Sequence, residues 1–89
     1  MKAMYMVEFD PVLKLLEEVV NDRTVPKNIR SAAEDSKNLL NSNESLELKI
    51  STAIHTLDNI INDQNMPMYA RTKIWNIVSM LEQTRRELD

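Results

Sequence analysis

Apolar residues recur along this chain at three- and four-residue spacing in four separate stretches, each bounded by a polar or proline-bearing break. That period is the mark of amphipathic helices. The first stretch follows Asp10-Pro11 and carries Val12, Leu13, Leu15, Leu16, Val19 and Val20, with Lys14, Glu17 and Glu18 on the other side. Its start reads as a cap: the Asp10 carboxylate is offered to free amides, and Pro11 loses nothing at the first helical position. The helix runs to about Asn21. The second opens at Thr24-Val25-Pro26 and places Ile29, Ala32, Ala33, Ser36, Leu39 and Leu40 on a narrow face of small residues, so a bulkier neighbour can come close. Asn41-Ser42-Asn43 then breaks the pattern and leaves Asn43 and Ser45 as alternative caps for the third helix. Leu46, Ile50, Ala53, Ile54, Leu57, Ile60 and Ile61 share one face of that helix. After Asn62-Asp63 and Met66-Pro67, the fourth carries Ala70, Ile74, Ile77, Val78, Leu81 and Leu88 and ends in Arg85-Arg86-Glu87, where basic residues suit the helix dipole.

A shift of 41 residues lays Leu16 to Leu40 over Leu57 to Leu81. Leu16/Leu57, Asn21/Asn62, Asp22/Asp63, Pro26/Pro67, Arg30/Arg71 and Leu40/Leu81 are then identical, with the match densest at the turns and on the core face. The pattern predicts an all-α, up-and-down four-helix bundle built from two tandem repeated hairpins, 8–41 and 46–88, in one domain spanning 1–89. Two hairpins left open as a solenoid would bare much apolar surface, which favours closure. Residues 1–7 have no clear period and read as a frayed arm or, if ordered, as a segment whose Tyr5, with Phe9, covers an open end of the core.

Composition narrows the chemistry. The 89 residues are 43% hydrophobic and 28% charged, as expected of a packed domain. Glycine is absent and prolines number three, which removes the left-handed turns that β-hairpins and phosphate-binding loops need. With no cysteine, disulfides and thiolate sites are excluded. Eleven Lys and Arg against fourteen Asp and Glu give a net charge of −3, a poor match to a phosphate backbone. The chain start shows no long uncharged stretch or small-residue cleavage site, which points to a cytoplasmic protein without membrane association.

His55 falls opposite the Ile50, Ile54 and Leu57 face, and the residue three before it is Thr52, so the Glu-x-x-His spacing of bundle di-metal sites is missing. Glu17-Glu18 and Glu34-Asp35 diverge by about 100° on their helices and read as solvated faces. No base stands beside a nucleophile at any spacing, so neither an enzyme activity nor a metal or cofactor is expected. Arg30 and Arg71 each follow an aspartate, Asp22 and Asp63, by eight residues. They read as structural clamps, with guanidinium donors meeting the Asp carboxylate and the last carbonyls of the preceding helix.

Trp75 is the most informative position, because its counterpart at the 41-residue shift is Glu34. The preferred reading packs its ring under a neighbouring helix; the other makes it the anchor for a protein partner or second subunit, with Tyr69, Met68 and Arg71 extending the patch. A helical interaction or self-associating scaffold module is therefore the leading expectation. An accessory role on nucleic acid, through Arg71, Lys73, Arg85 and Arg86 of the fourth helix, is the alternative.

The run Met66-Pro67-Met68-Tyr69-Ala70-Arg71-Thr72-Lys73-Ile74-Trp75, with Ser79 and Leu81-Glu82 after it, resembles the small archaeal family catalogued as uncharacterised protein family 0147. Asn21-Asp22 and Val25-Pro26-Lys27-Asn28-Ile29-Arg30-Ser31-Ala32-Ala33 are similar to it as well, and the likeness extends from about Glu8 to Arg86. The resemblance implies an archaeal, cytoplasmic, all-α protein of this size. It implies no activity and transfers no ligand role to Pro67, Arg71, Thr72 or Trp75.

Overall fold

The computed structural model describes residues 9–88, and within them four helices: α1 Asp10–Val20, α2 Lys27–Leu40, α3 Leu46–Ile60 and α4 Met68–Leu88. The arm proposed for residues 1–7, with Tyr5, lies outside the described residues. Short connections at 21–26, 41–45 and 61–67 set consecutive helices antiparallel. Each helix packs on two neighbours, α1 on α2, α2 on α3, α3 on α4 and α4 back on α1, while diagonal pairs stay apart. The α1–α4 seam closes the ring, so the apolar stripes meet in one bundle core and not along an open repeat.

That core takes Val12, Leu16 and Val19 from α1, Ile29, Ala33 and Leu40 from α2, Ile50, Ala53, Ile54 and Leu57 from α3, and Ala70, Ile74, Ile77 and Leu81 from α4. Val25, Ile61 and Met66, from the two hairpin turns, plug one end. Phe9 and Leu46 pack against the cluster as half-buried residues. On α2 the small residues Ala33 and Ser36 are fully buried, which brings the α2 backbone close to its neighbours. Ser36 Oγ is buried there without a hydrogen-bond partner.

The helix ends follow local chemistry. Ser45 Oγ accepts from Leu48 N at 3.3 Å, so Ser45 and not Asn43 caps α3. For α1 the expected cap is corrected: Phe9 occupies the N-cap position without a side-chain bond, and Asp10 lies one residue inside. Pro11 still fits the first turn, and an acid there remains favourable to the dipole. At the far end Lys49 Nζ donates to the carbonyls of Leu40 and Ser42 at 3.1 and 2.9 Å, completing the C-terminus of α2, and stands 5.8 Å from the centre of the Phe9 ring. No described residue takes a positive φ, which is how a glycine-free chain makes all three connections.

Candidate functional site

The two hairpin turns share one hydrogen-bond scheme. Asp22 N donates to Val19 O and Val25 N to Asp22 O at 3.2 and 3.1 Å; Asp63 N to Ile60 O and Met66 N to Asp63 O follow at 3.1 and 3.2 Å. Pro26 O then accepts from Arg30 N, and Pro67 O from Arg71 N, both at 3.0 Å. Each proline fixes the chain at a helix entry, where its missing donor costs nothing.

The arginines meet the turns differently from the expected clamp. Arg30 Nε donates to Val25 O at 3.0 Å and Arg71 Nη2 to Asp63 O at 2.8 Å, so both satisfy turn carbonyls, and neither forms an ion pair with an Asp carboxylate. The carboxylates turn instead to amides two residues on. Asp22 Oδ1 accepts from Thr24 N at 2.9 Å and from its hydroxyl at 2.6 Å, and Asp63 Oδ1 accepts from Asn65 N at 2.8 Å. This is the Asx geometry that short acidic side chains adopt in turns.

Their second oxygens reach across the bundle. Asp63 Oδ2 accepts from Asn28 Nδ2 at 3.1 Å, and Asp22 Oδ2 accepts from the Tyr69 hydroxyl at 2.8 Å, with Thr24 Oγ1 also in hydrogen-bond contact with that hydroxyl. Asn28 and Tyr69 are themselves 41 residues apart, so the latch is reciprocal: each turn's aspartate is held from the first turn of the second helix of the other hairpin. Hydrogen bonds from Thr24 first, and from Tyr69, hold the Asp22 carboxyl below the ordinary aspartate range, with Lys73 adding to the effect. The Asn28 side chain and the Asn65 amide do the same for Asp63, Arg71 contributing less.

Tyr69, expected on the interaction surface, is thus half-committed: 52% exposed, with its hydroxyl spent inside the molecule. Trp75 corrects the preferred expectation more sharply. It does not pack under a neighbour but stands 54% exposed on the outer side of α4. Met68, 67% exposed, lies seven residues earlier, within about 20° of the same helical direction and about 10 Å along the axis. Arg71 falls between them, half-buried by its carbonyl contact. His55 is exposed, as its register required.

The basic residues of α4 do not gather. Arg71 and Lys73 diverge by about 160° around the helix. Lys73 Nζ pairs with Glu18 at 2.9 Å, Arg85 with Glu82 at 3.0 Å, and Arg86 bonds Gln83. Among the described residues no group of three or more acids or histidines could hold a metal ion, and no helix is long and apolar enough to cross a membrane.

The model of the uncharacterised protein family UPF0147 matches residues 2–84. The chain belongs to this family. The UPF0147 protein MJ1419 of Methanocaldococcus jannaschii is 51% identical over 75 residues, covering 83% of this chain and 81% of the relative. A UPF0147 protein of Archaeoglobus fulgidus is 38% identical over 82 residues, 92% and 94% of the two chains. Among solved structures, a UPF0147 protein from Thermoplasma acidophilum superposes with a TM-score of 0.81 at 46% identity over 84% of this chain and 89% of its own. MMP1188, a protein of unknown function, does so with 0.79 at 48% over 83% and 85%. UPF0147 membership confirms the four-helix, all-α architecture and carries no assigned activity.

Proposed function

We propose that this UPF0147 chain is a small, non-enzymatic, cytoplasmic interaction module that binds a protein partner through the outer face of α4. The carrying observation is Trp75, a large ring 54% exposed in line with the exposed Met68. Tryptophan is the residue most often found anchoring interfaces, because it brings a large apolar area at small entropic cost. Two half-exposed side chains offer on the order of 250 Å², well short of the roughly 800 Å² per partner of a standard interface. A flat self-pairing of α4 is therefore less suited to this face than a partner that brings a pocket for the ring. The absence of cysteine fits a reducing compartment.

The test is Trp75→Glu, which installs the residue found at the corresponding place on α2. Immobilised wild-type chain retains a defined protein from an archaeal extract, and W75E loses it while melting at the same temperature. Retention of the same protein by both overturns the reading.

A further inference from the structure

We infer that the bundle opens along its α1–α4 seam, like a book hinged at α2–α3, with the Tyr69 hydroxyl as the clasp. The other three seams each join helices consecutive in the chain; α1 and α4 alone meet without a direct connection. The α2–α3 seam is tied by polar contacts at both of its ends. Its five-residue loop is stapled by Lys49 Nζ on Leu40 O and Ser42 O, and at the opposite end Asn28 reaches Asp63.

Across the α1–α4 edge the chain has less to hold it. α1 is the shortest helix, with 11 residues and only Val12, Leu16 and Val19 buried. The polar ties between this edge's two sides sit together at the turn end: Tyr69 on Asp22 Oδ2 and on Thr24, and Lys73 on Glu18 one turn further. From Ile74 to Leu88, no described hydrogen bond or ion pair joins α4 to α1. Elements with few buried contacts and exposed polar ties are the ones that open locally in native proteins. Opening here bares the inner faces of α1 and α4, an apolar groove one helix wide.

Hydrogen exchange on the full chain reads this directly. Tyr69→Phe keeps the ring and removes only the clasp, and it is expected to speed exchange in α1 and the first half of α4 about fivefold, leaving α3 unchanged. Asn28→Ala, which trims the spine, leaves α1 protected. In the reverse direction, Glu18→Cys with Lys73→Cys, bridged by a short thiol cross-linker in a chain that has no other cysteine, slows α1 exchange below wild type. Unchanged α1 exchange in Y69F, equal acceleration of all four helices, or no slowing in the bridged protein overturns the inference.

Discussion

The two hairpins make the same turn and present different faces. Leu16 and Leu57 are both fully buried, Arg30 and Arg71 both hold turn carbonyls, and Asp22 and Asp63 both accept from an amide two residues on. Around the outside the correspondence ends: Lys27 gives way to Met68, Asn28 to Tyr69 and Glu34 to Trp75. On α2, Lys27 and Glu34 belong to a shallow depression of about 270 Å³ lined also by Val20, Arg30, Ser31 and Asp35, where both signs of charge face water. On α4, Met68 and Trp75 form an apolar line, and Tyr69 turns to Asp22. What is alike serves the scaffold, and the binding role is assigned to what differs.

The comparison is broken first in the core. Leu16→Ala and Leu57→Ala, each emptying a fully buried position, should each lower the unfolding free energy by about 3 kcal/mol in urea titrations. A large inequality between them would mean that the two hairpins do not share the core evenly. Next come the turns: Arg30→Ala should cost about 1 kcal/mol by leaving the Val25 carbonyl without its donor, and Arg71→Ala less, because Asp63 O keeps the Met66 amide and a buried Nε without a partner goes with the side chain. Ser36, whose counterpart is Ile77, works the other way. Ser36→Ala removes a buried hydroxyl without a partner and should raise stability by up to about 1 kcal/mol.

Acid probes the reciprocal latch. Both aspartates are held below their ordinary value of 3.8 in the folded chain. A depressed carboxyl contributes stability that is fully present above 3.8 and is lost as pH falls through the lower folded value. Melting temperature should therefore drop below pH 4, and Asp22→Asn with Asp63→Asn should flatten that drop relative to wild type. The smallest effect on folding belongs to Trp75→Glu, within about 0.5 kcal/mol as for other exposed positions.

Periodicity located all four helices, and the contrast with Glu34 singled out Trp75, whose preferred reading nonetheless packed the ring under a neighbouring helix. The helices are carried by spacing of three and four residues, and the Trp75 contrast by the 41-residue shift. The latch was illegible because Asn28 meets Asp63 across 35 residues and Tyr69 meets Asp22 across 47. The packing of α2 beside α3 brings the first pair together, and the closure of α1 on α4 the second. Of the expected arginine clamp the carbonyl half is present, moved from the helix end to turn carbonyls that the long Arg stem reaches, while the short Asp side chains bond nearby amides. Trp75 was placed at the flank of the α4 stripe. In a four-membered ring each helix is covered only toward two neighbours, so a residue about 120° from the stripe faces water.

Trp75 is the chain's single tryptophan, so its fluorescence reports on this face alone. In dilute protein without partner, the expected emission is red-shifted from that of a buried ring and readily quenched by acrylamide, as fits a ring 54% exposed. Blue-shifted, poorly quenched emission at the lowest measurable concentration would contradict it.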